Sequence, residues 1–169
     1  MSDEEIKIHR GLNNVYFDRT KTTYINGKEG VLEYRGYNIH DLSEKSSFEE
    51  VSYLLLYGKL PTKNELDAFN SSLKESRKIP SQVIDIIKSI KDSHPMDVLR
   101  TAVSALSTFD EEASDKSYDA TMRKGIRLTS QVPTIVMAHN SIRNGKDPVE
   151  PSKELSHAAN FIYMLDGKI

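Results

Sequence analysis

The 169-residue chain has no cysteine and no tryptophan. Without cysteine there is no disulfide, no thiolate metal site, no iron–sulfur cluster and no thiol nucleophile. No stretch approaches the roughly 20 apolar residues a membrane-spanning helix needs, so a membrane is not an expected partner. The opening MSDEEIKIHR carries acid where a secretory leader carries base, and no apolar run follows; the expected location is the cytoplasm. An excess of one charge is also missing. Lys and Arg number 23 against 25 Asp and Glu, for a net charge of −2. No basic run is interleaved with aromatics, so nucleic acid is not expected either. The eight glycines are scattered. They form neither GxGxxG nor GxxxxGK[ST], which excludes the standard nucleotide cradles. The βα alternation of a nucleotide-binding sheet is absent too.

What is present is mostly helical pattern. Thr22–Ile25 and Val31–Arg35 are short β-prone runs around Asn26-Gly27-Lys28-Glu29-Gly30, a hairpin signal. A helical turn follows near Ile39–Ser43. Residues 1–21 have little pattern and are expected to form an arm. Ser46 or Ser47, with Glu49 or Glu50, opens a helix by a capping box; its expected buried stripe is Phe48, Val51, Leu54 and Leu55. Gly58 and Pro61 end it. Thr62 and Glu65 repeat the box before Leu66, Phe69 and Leu73. Pro80-Ser81 opens a helix with Val83, Ile86, Ile87 and Ile90 on one face.

The second half continues the pattern. His94-Pro95 places proline at a first helical position, where its missing N–H costs nothing; Leu99, Ala102, Val103 and Leu106 follow at helical spacing. Asp110–Asp119 is charged and aperiodic, an expected exposed and mobile connection. A long helix over Ala120–Asn144 is expected to be kinked or divided at Pro133. Ser152 is the expected cap of a last helix burying Leu155, Ala158, Ala159 and Ile162. The expected division is an arm and hairpin over 1–45 and a helical part over 46–169.

Few side chains suggest chemistry. His94 and Asp97 form a base–carboxylate pair on paper, but both suit a helix N-terminus better. His139 has no partner at metal-ligand spacing and reads as packed or exposed. Ser156-His157 points two side chains about 100° apart on a helix, so neither faces the other; His157 reads as structural. Arg35, between Tyr34 and Gly36-Tyr37, has two open readings: it grips a phosphate or carboxylate, or it stacks on an aromatic ring or pairs with a helix end. The first would make the chain a small-molecule binding domain. Arg100 reads as an ion-pair residue. No catalytic, cofactor-binding or metal-ligating residue is assigned.

SFEEVSYLLLYGKLPT and HPMDVLRTAVSAL, in that order and spacing, resemble the citrate synthase family, which includes 2-methylcitrate synthase. GLNNVYFDRTKTTYINGKEGVLEYRGYNIHDL, VPTIVMAHNSIRNGK and LSHAANFIYMLDG extend the likeness over nearly the whole chain. The resemblance implies a mainly α fold, the multi-helical part of the large domain, with a short β-hairpin near the N-terminus. It implies an acyltransferase at the start of the tricarboxylic acid cycle, condensing acetyl-CoA with oxaloacetate to citrate and CoA. No tightly bound cofactor is implied. The family's aspartate base, histidine donors and carboxylate-binding arginines lie beyond the segment matching LSHAANFIYML, so the chain alone is expected to be inactive. Helices near 80–109 are the expected homodimer contact. The alternatives are a portion of a 2-methylcitrate synthase using propionyl-CoA, and a non-catalytic helical dimerisation module.

Overall fold

The computed structural model describes Gly11, Val15, Tyr16 and residues 18–168; most of the expected arm lies outside the described residues. Three antiparallel strands come first, in the order β1 (Thr23–Asn26), β2 (Val31–Tyr34), β3 (Tyr37–Asn38). Thr23 faces Tyr34 and Asn26 faces Val31; Glu33 faces Asn38. The third strand was not expected, because two residues carry no alternation to read. It forms because Arg35 and Gly36 both take positive φ, +53° and +84°, the twist a two-residue hairpin connection requires.

Seven helices follow: α1 (Ile39–Lys45), α2 (Phe48–Tyr57), α3 (Lys63–Glu75), α4 (Ser81–Ser89), α5 (Pro95–Leu106), α6 (Tyr118–Arg143) and α7 (His157–Asp166). The expected mainly α fold with an N-terminal hairpin is what the chain adopts. Both capping boxes form, Ser47 with Glu50 and Thr62 with Glu65. Each satisfies two helix-end donors at once. Gly58 ends α2 in the left-handed conformation at φ +82°.

The long α6 is the axis, with α3, α4, α5 and α7 against it. One apolar cluster joins α4, α5 and α6 through Val83, Ile87, Val98, Ala102, Ile135 and Ile142. A second joins α2, α3 and α6 through Tyr53, Phe69, Leu73 and Ile126. Truncating the fully buried Ile87 or Ile135 to alanine costs about 2–5 kcal/mol, since the cavity left behind collapses only in part.

Several expectations need correction. Leu54 is buried as expected, but Phe48 is half exposed and α2 buries Tyr53 in addition. The reason is that α2 packs against both α3 and α7, so two faces compete. Val98, absent from the expected stripe of α5, is fully buried. Pro133 neither ends nor divides α6. The helix is held on either side of it: Gln131 Nε2 donates to the Lys78 carbonyl at 3.1 Å, and Thr134 Oγ1 to the Arg77 carbonyl at 2.9 Å. Tertiary contact thereby outweighs the lost backbone donor.

The connection after α5 is pinned rather than mobile. Arg127 pairs with Asp110 through both carboxylate oxygens and with Glu112 at 2.8 Å, and Arg123 also reaches Glu112. The last helix is capped by Ser156, not Ser152. Its buried residues are His157, Asn160 and Met164, whereas Ala158, Ala159 and Ile162 face outward. His157 and Asn160 turn inward because the groups they meet there, Glu49 and the Ser152 N–H, are polar.

Candidate functional site

The histidines singled out in the sequence serve the frame. His94 is the N-cap of α5, and its Nδ1 accepts the Met96 N–H at 3.2 Å. Asp97 turns to Arg100 at 3.0 Å on the same helix, so no His94–Asp97 pair exists. His139 is buried, with Nε2 2.9 Å from the Lys91 carbonyl. A carbonyl only accepts, so this nitrogen carries the proton. Among the described residues no three His, Cys, Asp or Glu side chains gather at metal-binding distance.

Arg35 is resolved in favour of the helix-end reading. Its Nη2 donates to the Leu55 carbonyl at 3.0 Å, in the last turn of α2, and its guanidinium lies 3.8 Å from where a Cβ on Gly58 would stand. A cation there meets the negative end of the helix dipole. The backbone pays for this placement in strain, since φ +53° is rarely taken by a residue other than glycine.

The densest polar cluster was not foreseen as a group. It lies where α7 meets α2 and the α3–α4 connection. Ser156 Oγ accepts from Ala159 N at 3.3 Å, so this serine is a cap and not a nucleophile. Glu49 Oε1 accepts the His157 backbone N–H at 2.8 Å, placing a carboxylate on the positive end of α7. The His157 ring lies flat on Phe48, centroids 4.6 Å apart and planes 10° apart. Arg77, 2% exposed, donates through Nη1 to Ser152 O and through Nη2 to Leu155 O at 2.9 Å. Asn160 Oδ1 accepts the Ser152 N–H at 2.8 Å. Burial holds the His157 imidazole below its ordinary pKa, and the Arg77 charge adds to this while Glu49 opposes it. Arg77 carries no local sequence signal, and the local reading of Glu49 as a capping-box candidate misses this role, because their partners lie 75–108 residues away.

A cleft of about 500 Å³ lies between the end of α5 and α6, lined by Val103, Leu106, Phe109, Leu128, Asp110 and Arg127. Arg127 is already held by two carboxylates, which leaves the cleft largely apolar in character. Neither cluster holds a base and a polarising donor facing one open space, the arrangement acyl-transfer chemistry needs.

A family model described as citrate synthase, C-terminal domain, matches residues 11–169. The chain belongs to the citrate synthase family. The citrate synthase of Deinococcus radiodurans is 45% identical over 161 residues, 95% of this chain and 43% of the relative. A 2-methylcitrate synthase of Corynebacterium glutamicum is 38% identical over 168 residues, 99% of this chain and 44% of the relative. The crystal structure of Pyrobaculum aerophilum citrate synthase superposes with a TM-score of 0.91 at 36% identity, over 95% of this chain and 42% of that one. Thermoplasma acidophilum citrate synthase, solved as a ternary complex with carboxymethyl coenzyme A and oxaloacetate, gives 0.86 at 27% identity, over 96% and 43%. This citrate synthase-family chain thus spans under half the length of the relatives it matches.

Proposed function

We propose that this chain is the N-terminal helical frame of a citrate synthase, an acyltransferase that condenses acetyl-CoA with oxaloacetate to citrate and CoA in the cytoplasm. The observation that carries this reading is the use of His94, His139 and His157. Each is spent on a helix end or a packed junction, within a fold that superposes on citrate synthase at a TM-score of 0.91. The proton-abstracting base and the carbonyl-polarising donors come from the further length that the relatives carry. Substrate enters with that remainder and is not held tightly by this chain. The hairpin unit ends at residue 45 and the helical frame begins at 46, where the chain passes in extended form from α1 to α2. Helices near 80–109 form the homodimer contact; the exposed Met96 and Phe109 give that region an apolar surface.

The test is complementation. The folded chain is mixed with the remainder of the Deinococcus radiodurans enzyme, and CoA thiol release is followed with acetyl-CoA and with propionyl-CoA, each with oxaloacetate. Release on mixing, faster with acetyl-CoA, is the expected result. Release that appears only when the remainder comes instead from the Corynebacterium glutamicum 2-methylcitrate synthase, with propionyl-CoA, assigns the chain to that enzyme, the alternative that this relative supports. Association of the two parts without any release would contradict a catalytic role and leave the dimerisation module.

A further inference from the structure

The buried junction of α7 with α2 contains one carboxylate and one guanidinium, Glu49 and Arg77, together with an imidazole. From α2 the groups against the imidazole are Phe48, stacked on its face, and Glu49, bound to its backbone N–H. From the α3–α4 connection the charged group is Arg77. Glu49 and Arg77 balance each other while His157 is neutral. A proton on His157 leaves one uncompensated positive charge in a site 93% removed from water, since the residue is 7% exposed. Its Nδ1 is buried with no hydrogen-bond partner among the described residues, so an N–H there meets no acceptor among them. The proton also arrives in the first turn of α7, where the helix dipole is positive.

We infer that His157 makes the seating of α7 on α2 dependent on pH, firm while the imidazole is neutral and loosened once it is protonated. The sign follows from linkage. The seated imidazole sits below 6.5 and the released one titrates near 6.5. Seating is therefore fully favoured above pH 6.5 and weakens as pH falls below it. A single proton limits the effect to about tenfold in the opening equilibrium for each pH unit below 6.5. The inference rests on the junction itself and not on the proposed enzymatic role.

Hydrogen exchange of the full chain, corrected for intrinsic rates, tests it. Between pH 7.5 and 5.5, amides of 157–166 are expected to lose several-fold protection, up to about tenfold, while those of 95–106 hold theirs. In His157→Gln, which keeps a neutral polar side chain, the ratio is expected to fall to about one. Equal protection of α7 at both pH values in the wild type overturns the inference. So does a pH effect that survives His157→Gln. Should that variant fail to fold, the wild-type Phe48 ring resonances decide: they must move with the His157 C2–H titration, and a Phe48 ring that ignores it overturns the inference.

Discussion

Arg77 and Leu155 are joined across 78 residues by a 2.9 Å hydrogen bond from guanidinium to carbonyl. The same guanidinium reaches Ser152, so one buried side chain ties two points of the approach to α7. Replacing Arg77 by Met keeps the stem and removes the donors. The expected loss is about 2 kcal/mol, the worth of charge-assisted bonds less the relief of a buried charge. Denaturant unfolding measures it, and hydrogen exchange should show the loss centred on 150–160.

Arg35 combines a favourable side chain with an unfavourable backbone. Arg35→Ala loses the bond to Leu55 and keeps the positive φ. Arg35→Gly loses the bond and removes the strain. Glycine is therefore expected to be the milder change, by about 1 kcal/mol. Thermal unfolding of the two variants gives the order; alanine as the more stable of the pair would contradict the strain.

Glu112 is the hub of the α5–α6 connection. Arg123 and Arg127 lower its pKa to about 2 from 4.5. A lowered carboxylate contributes above its unfolded value and loses that contribution as pH falls through the folded one. The connection should therefore stay pinned at neutral pH and be released between pH 4.5 and about 2. In Glu112→Gln, faster amide exchange over 111–117 is expected already at pH 7, with α4 and α5 unaffected.

Gly125 sits inside α6, where a Cβ would stand 3.2 Å from Leu56 Cδ2. Alanine gains about 1 kcal/mol of helix propensity, and the methyl it meets is the free end of a side chain able to shift slightly. Gly125→Ala is expected to stabilise by a few tenths of a kcal/mol. Gly125→Leu is expected to destabilise, because its larger side chain has no room beside Leu56.

Much of this frame was legible because its signals are local. The boxes Ser47–Glu50 and Thr62–Glu65 and the stop at Gly58 use groups within one turn of one another. Pro95 after the His94 cap is equally local. The errors fall where a distant partner decides. The face α7 buries is set by Glu49 and Arg77, so its apolar residues Ala158, Ala159 and Ile162 were wrongly placed inside. The Asp110–Asp119 stretch looked loose because its anchors, Arg123 and Arg127, lie 11–17 residues from their carboxylate partners. The two readings of Arg35 were separated only by Leu55, 20 residues on. The junction around Arg77 left no trace in any local window.

The central claim is that this chain frames a citrate synthase and does not itself hold the reacting groups. Thiol release from acetyl-CoA and oxaloacetate by the purified chain alone, with helical content confirmed by circular dichroism, tests it directly. A folded chain that releases no CoA is the expected result. Turnover by a homogeneous preparation, lost on substituting His94, His139 or His157, would contradict it and return those histidines to the chemistry.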